Sequence, residues 1–559
     1  MSNENPDLKI AQSASLKPID QIAKKLGLNN GDIEQYGKYK AKIPLSYIDD
    51  HSVSKNNMIL VTAITPTPAG EGKTTVSVGL VDGLNHLGKQ AVAVLREPSL
   101  GPVFGIKGGA TGGGYSQLIP MEDINLHFNG DFAAIEKANN LLSALINNNI
   151  YGRSRNLGID PRTVKWRWAM DMNDRSLRHI VTGLGGKQGG FLQESGFNIT
   201  AASEIMAILC LARDLSDLKE RMGNIYVGDT FSGEPIFGRD LNAHGAMAAL
   251  LKDAIKPNLV QTLEGNPAII HGGPFANIAQ GTNSLVGTKI GLSLANYVVT
   301  EAGFGADLGA EKFFNIKCRA GGINPKTVVL VATVRALKYH GGVSKDQLQE
   351  PNVNAVKEGL GNLEKHIENI KSFGIPVVVA INKFIADTPE ELQCIVDRCN
   401  ELNVEIAYAD GWKNGGKGMA DLAPKVVDAA NSCNNSFKPT YELNAPIKDK
   451  IGAIAERIYG ANKIVYSPNA NTILRRAETL GFSEFPICMA KTQNSFSDDA
   501  KSYGRPQNFT IKVREVEIAA GAGFIIPITG KMLRMPGLPA KPAAENIDID
   551  KDGNITGLF

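Results

Sequence analysis

At 559 residues the chain is well beyond the roughly 250 to 300 at which a single core stops growing, so about two to four domains are expected. Lys and Arg (59) nearly balance Asp and Glu (57), and the net charge of +2 offers no overall attraction for nucleic acid or an anionic membrane. No run of about 18 apolar residues occurs, which argues against a membrane span, and the opening MSNENPDLKIAQ lacks the basic-then-apolar pattern of a secretory signal. The cysteines, Cys210, Cys318, Cys394, Cys399, Cys433 and Cys488, are scattered, without CxxC or a histidine at zinc spacing. They read as reduced thiols of a cytoplasmic protein rather than as a disulfide framework or a metal site.

Residues 1–55 are polar with short helical patterns such as PIDQIAKKLGL, and read as a cap on the first domain. NMILVTAIT (57–65) is a β-branched apolar run, and TTVSVGLVDGLNHLG (74–88) carries apolar residues at helical spacing up to Gly88. Further buried strands are expected at QAVAVLREP (90–98), VVLVATVRAL (328–337) and IPVVVAIN (375–382). Continuous apolar strands alternating with helices indicate an α/β fold, a mostly parallel sheet flanked by helices of the kind seen in P-loop NTPases. The interval 138–285, with the helical run TAASEIMAILCLARDLSDLKERMG (200–223), is expected to be an inserted α/β domain. The nucleotide-binding domain would then comprise 1–137 and 286–380. NVEIAYAD and FTIKVREVEIAAGAGFIIPITG suggest a smaller C-terminal domain over 381–559.

The turn between the first strand and helix reads TPTPAGEGKTT, with Thr65, Pro66, Thr67, Pro68, Ala69, Gly70, Glu71, Gly72, Lys73, Thr74 and Thr75. A phosphate loop normally has Gly, four residues, then Gly-Lys-Ser/Thr, and here Thr67 stands at the first Gly. Gly70, Gly72, Lys73 and Thr74 nevertheless supply backbone N–H groups, a cation for the β and γ oxygens and a hydroxyl for Mg²⁺, in the required strand–loop–helix context. AINKF (380–384) resembles the Asn-Lys-x-Asp guanine motif, yet Ile385 occupies the Asp position, so ATP is the expected nucleotide.

VAVLREPSLGP ends in Arg96-Glu97 at the strand edge where open α/β sheets bind ligands, and an Arg there can grip a carboxylate or phosphate at two points. A surface salt bridge with Glu97 or another acid is its bland alternative. GIKGGATGGGYSQ (105–117) has six glycines in the eleven residues through Tyr115, too many for a helix or strand interior. The embedded Lys107, Tyr115 and Gln117 make an ordered active-site loop a better reading than a flexible linker.

These motifs resemble those of the formate–tetrahydrofolate ligase family. GIKGGATGGGY, with Lys107, Gly108, Gly109, Gly112, Gly113 and Tyr115, is similar to one family signature, and VATVRALKYHGG, Val331 to Gly342 with Arg335, to the other. Thr111 departs from the expected Ala. The resemblance covers essentially the whole chain and implies formylation of tetrahydrofolate by formate and ATP, through formyl phosphate, to 10-formyltetrahydrofolate. It also implies Mg²⁺, activation by a monovalent cation (K⁺ or NH₄⁺) and a homotetramer.

In that chemistry Lys73, Arg96 and Mg²⁺ on Thr74 would cancel charge and hold formate in line. Glu97 or Asp131 would take the proton of the attacking amine, with a helix N-cap as the alternative role for Asp131. Phe384 and Trp412 look like the family positions that stack on the pterin ring, and Asn382 and Lys383 would line the same site. Lys338 and His340 enter only through the second signature. His271-Gly-Gly and His340-Gly-Gly read equally as anion-binding or structural turns. The basic GWKNGGKG reads as a solvated loop, with attraction for a polyglutamate tail as its alternative. Two rival readings are another ATP-dependent carboxylate-activating ligase on the same scaffold, and a partition or metal-insertion ATPase.

Overall fold

The apolar runs converge on one sheet in the computed structural model, which describes all residues except 1–5, 106–108, 153–155, 187–188, 435, 531 and 559. Its main strands are β1 (Asn57–Ala63), β2 (Ala91–Leu95), β3 (Asn258–Thr262), β4 (Pro267–Ile270), β5 (Tyr297–Glu301), β6 (Thr327–Ala332), β7 (Val377–Asn382) and β8 (Glu405–Ala409). They lie in the order β3-β4-β2-β5-β1-β6-β7-β8. From β4 to β8 every pairing is parallel, and β3 runs antiparallel to β4. Register is set by the apolar side chains: Val299 stands opposite both Ile59 and Ala93, and Val329 opposite Val61.

Strands β2, β5, β6 and β7 are buried at every position, as expected of a parallel sheet covered on both faces. Alternate residues of β1 feed two cores. Ile59 and Val61 pack with Val76, Leu80 and Leu84 of α1 (Lys73–His86), while Met58 and Leu60 face Leu285, Ile290, Leu363 and Ile367. A further core joins Phe132, Ile135 and Leu142 of α2 (Asp131–Tyr151) to Ile205, Leu209 and Met247 and to Phe524, Ile526 and Ile528. The last three belong to a C-terminal sheet in which β9 (Lys463–Tyr466) runs parallel to β10 (Thr510–Ala519) and β11 (Phe524–Thr529) antiparallel to it.

Several elements differ from the sequence reading. The run 328–337 is not one strand: Thr333 leaves β6, and its hydroxyl accepts from the Ala336 amide to cap α3 (Val334–His340). The helical run at 200–223 breaks into Glu204–Leu211 and Leu215–Gly223, because the Asp214 carboxylate caps a new helix by accepting from the Asp217 amide. The sheet also runs across the expected domain boundaries. β3 and β4 come from within 138–285, and β7 and β8 straddle or follow residue 380.

The chain leaves β1 to build β2 two places away on one side, and later places β6 directly on the other. Such a switch in strand order opens a crevice at the strands' carboxyl ends, where ligands of open α/β sheets bind.

Candidate active site

The Thr65–Thr75 turn, the candidate phosphate loop of the sequence, follows β1 at that switch. Gly70 (φ 76°) and Gly72 (φ 73°) are both left-handed, a conformation that a side chain at either position would strain. Gly72 also has no room: a Cβ there would lie 2.3 Å from Nδ2 of Asn382. Lys73 and Thr74 open α1, so both stand at the positive end of the helix.

The loop is braced from beneath by Glu71, whose side chain is fully buried. Its Oε1 accepts from the Thr67 amide (2.6 Å) and hydroxyl (2.9 Å), and its Oε2 accepts from the Thr333 hydroxyl, with the Arg335 Nε 4.0 Å away. The Gly70 carbonyl accepts from Arg335 and the Glu71 carbonyl from the Asn382 amide (3.0 Å). In a trans peptide C=O and N–H point in opposite directions, so these two grips turn the N–H groups of Glu71 and Gly72 away from the braces, as a phosphate cradle requires.

Thr65 is pinned as well. Its hydroxyl meets Nε2 of His366 (3.0 Å) and the Asn362 amide (2.9 Å), and its carbonyl accepts from Nε2 of His340 (2.9 Å). Asn362 and His366 come from α4 (Val353–Ser372).

Arg96 follows β2, two strands from the loop. One guanidinium nitrogen donates to the Pro274 carbonyl (3.3 Å) and another lies 3.8 Å from Oε1 of Glu301, the last residue of β5. The other oxygen of Glu301 accepts from the Thr74 hydroxyl (2.9 Å), so this carboxylate links the arginine to the phosphate loop. Gly303 lies under the guanidinium, where a Cβ would come within 2.9 Å of it, and the next residue, Phe304, has a positive φ of 58°. Burial pushes the Lys73 ammonium below its ordinary range; Glu301 and Glu71 oppose that shift and Arg96 adds to it.

Glu97 is buried, and burial raises its pKa well above the carboxylate range; nearby Asp131 adds to this and Lys42 opposes it. Its Oε2 has no hydrogen-bond partner among the described residues. Asp131 is differently placed. It is the first residue of α2, with Gly130 rather than itself at the cap position, and its carboxylate accepts from Lys42 (2.8 Å) and from the Asn258 amide (2.8 Å). The capping alternative for Asp131 is therefore corrected: its side chain closes a buried ion pair instead.

Of the glycine-rich stretch, Lys107 and Gly108 lie outside the described residues. Gly109 packs where a Cβ would collide with Asn125, whose amide also meets the Thr111 hydroxyl (3.5 Å). Gly112–Gly113 and Ser116–Ile119 form a small hairpin. That hairpin is docked on the segment after β8. The Tyr115 amide donates to the Trp412 carbonyl (2.8 Å), the Ser116 hydroxyl to the Gly411 carbonyl (2.9 Å), and a Cβ on Gly114 would lie 1.9 Å from the Trp412 oxygen. Asp7 ties the two together, accepting from the Gly114 amide (2.8 Å) and the Trp412 indole (3.1 Å). Trp412 and the Tyr115 side chain both remain exposed.

Phe384 follows β7, half-buried, with the Arg335 guanidinium 4.1 Å above its ring centroid. Lys383 is exposed. The Asn382 side chain is buried against the phosphate loop. Thus the carboxyl ends of six adjacent strands present, in order, Arg96, Glu301, the phosphate loop, Thr333 with Arg335, Asn382 with Phe384, and Trp412.

Glu301, Thr333, Asn362 and His366 escaped the sequence reading. A lone acid closing the apolar run Tyr297–Thr300 is the signal that would have found Glu301; the others matter through contacts distant in sequence. His271 and Lys338 are structural. His271 bonds the Ser284 hydroxyl and the Ala254 carbonyl, and Lys338 pairs with buried Glu391 (3.1 Å).

His340 yields a pH prediction. It donates from Nε2 to Thr65 and accepts at Nδ1 from the Gly504 amide (3.2 Å), so only the neutral ring satisfies both partners. Burial lowers its pKa to about 4. Unfolded, it titrates near about 6.5, so between those values the unfolded chain binds more protons and stability rises with pH. Acidification from pH 7 to pH 5 therefore costs about 2 kcal/mol at this residue. In urea unfolding, His340→Gln, which can donate and accept similarly, is expected to remove that part of the slope; an unchanged slope contradicts the assignment.

The family model described as formate–tetrahydrofolate ligase matches residues 5–559. The chain belongs to the formate–tetrahydrofolate ligase family, the ATP-dependent enzymes that join formate to tetrahydrofolate.

Proposed function

We propose that the reaction runs along the carboxyl edge of the sheet, through formyl phosphate, and that the side chains described there carry it. The observation that supports this most directly is Glu301, which touches Thr74 of the phosphate loop with one oxygen and lies beside Arg96 with the other. In this reading it makes the nucleotide and carboxylate sites neighbours.

ATP would lie with its phosphates on the N-terminus of α1, cradled by residues Thr65 to Thr75 and paired with Lys73. Mg²⁺ fits the Thr74 hydroxyl and the adjacent Glu301 carboxylate, both hard oxygen donors, and when bound it supplies charge neutralisation on the phosphates. Arg96 holds formate in line, so that a formate oxygen forms the new bond to γ-phosphorus as the bond to the ADP oxygen breaks. Arg96 then keeps the phosphate end of formyl phosphate neutralised.

The folate amine attacks the formyl carbon, the carbon–oxygen bond to phosphate breaks, and phosphate departs with both electrons. Glu97 takes the amine proton. Its unbonded oxygen leaves an acceptor position open and burial makes the carboxylate more basic, whereas Asp131 is already committed to Lys42 and Asn258. Phe384 and Trp412, at the ends of neighbouring strands about 4.8 Å apart, flank the pterin, with Asn382 and Lys383 at its edge. The glycine hairpin, seated on the Trp412 segment, keeps water from the acyl phosphate.

The family resemblance supports activation by K⁺ or NH₄⁺, a cytoplasmic location and a homotetramer. Among the described residues no helix is long and apolar enough to cross a membrane. Association is supported by the hairpin of Ile180–Thr182 and Gln193–Ser195, where Val181, Leu184, Phe191 and Leu192 are each more than half exposed. Phe191→Asp with Leu192→Asp is expected to lower the molar mass seen by sedimentation; an unchanged assembly would place the subunit contact elsewhere.

Acid conversion of the product to the absorbing methenyl-folate provides the test of chemistry. Lys73→Ala and Arg96→Ala are each expected to lower turnover by about 10²- to 10³-fold, the usual cost of removing one group that stabilises developing charge, while tetrahydrofolate still binds. Phe384→Ala and Trp412→Ala are each expected to weaken tetrahydrofolate by about 1–3 kcal/mol. Unchanged folate affinity in both would remove the aromatic clamp from the account.

A further inference from the structure

Arg335 belongs to two sites at once. On one side its guanidinium donates to the Gly70 carbonyl and approaches the Glu71 carboxylate at 4.0 Å, both in the phosphate loop. On the other it lies over the Phe384 ring, 4.1 Å from the centroid. The side chain is mostly buried, 19% exposed.

The residue is also fixed from behind. It sits in the first turn of α3, whose cap, Thr333, donates its hydroxyl to the same Glu71 carboxylate. A parallel connection reinforces it, because the Asn382 amide, two residues before Phe384, donates to the Glu71 carbonyl. Both carbonyls of the Gly70–Glu71 stretch are therefore held by groups that also carry or neighbour Phe384.

We infer that Arg335 is a positioning residue that couples nucleotide binding to folate binding. The inference rests on the reading of Phe384 as a pterin platform. When phosphate oxygens engage the Glu71 and Gly72 amides, the attached carbonyls are immobilised, and with them the acceptor that orients the Arg335 guanidinium. A fixed guanidinium in turn fixes the Phe384 ring, since a cation over an aromatic face is attracted to it and restricts its rotation. Folate arriving second finds its platform already ordered and loses less conformational freedom on binding, which is positive cooperativity carried by order rather than by a large movement. Linkage is reciprocal, so folate must tighten the nucleotide by the same factor.

Lysine cannot replace the arginine here. An ammonium keeps the charge but lacks the planar fork that reaches a carbonyl and a ring face together.

The test is calorimetric titration of tetrahydrofolate into the full-length protein, formate absent, with and without saturating Mg²⁺ and the β,γ-methylene analogue of ATP. In the unmodified protein the analogue is expected to tighten tetrahydrofolate by about fivefold or more. In Arg335→Lys that ratio is expected to fall below about twofold. A ratio kept at its original value in Arg335→Lys, or no coupling in the unmodified protein, would overturn the inference. Phe384→Leu separates this from the underlying reading. If its tetrahydrofolate affinity is unchanged, the pterin platform is misplaced and the inference falls with it; if affinity drops while Arg335→Lys keeps full coupling, only the link through Arg335 fails.

Discussion

The buried Glu71 carboxylate is the constraint on which the site depends. A carboxylate removed from water is costly unless its oxygens are satisfied, and here the donors come from the turn itself and from the end of the adjacent strand. Thr67 supplies its amide and hydroxyl from the start of the phosphate loop, and Thr333 its hydroxyl from the end of the adjacent strand. This accounts for the irregularity in TPTPAGEGKTT. Where a phosphate loop ordinarily begins with glycine, this turn has a threonine, and it is anchored internally by the Thr67–Glu71 pair as well as by its backbone.

Around that anchor the parallel sheet acts as a ruler. Strand order places Arg96, Glu301, the Thr65–Thr75 loop, Arg335, Phe384 and Trp412 along one edge, so in the proposed arrangement the phosphate acceptor lies to one side of ATP and the aromatic groups to the other. The glycine hairpin docks on the Trp412 segment, where Gly114 brings its backbone against the Trp412 carbonyl.

Much of this was legible in the sequence. The strand, loop and helix at 57–88 were apparent from apolar periodicity, and the placement of Arg96 from its position at a strand end. What stayed hidden depended on pairing across long separations. Glu301 matters because β5 lies between β1 and β2, which no local pattern reveals. The interval 138–285 looked self-contained, yet it contributes β3 and β4 to the central sheet, and its helices share a core with β11. The run 328–337 read as one strand because apolar composition does not distinguish a buried strand from a buried helix; the switch is made by Thr333, a cap that also serves Glu71. Asp131 resembled a cap for the same local reason, and its true partner, Lys42, is 89 residues away.

The central claim is that ATP, formate and folate react at one edge through a phosphorylated formate. Formate carrying oxygen-18 in both oxygens tests it most directly, with mass analysis of the inorganic phosphate released during a single turnover in the presence of tetrahydrofolate. The account predicts one labelled oxygen in each phosphate, because the bridging atom of formyl phosphate leaves with phosphorus. Phosphate free of label, or label found in AMP, would contradict it.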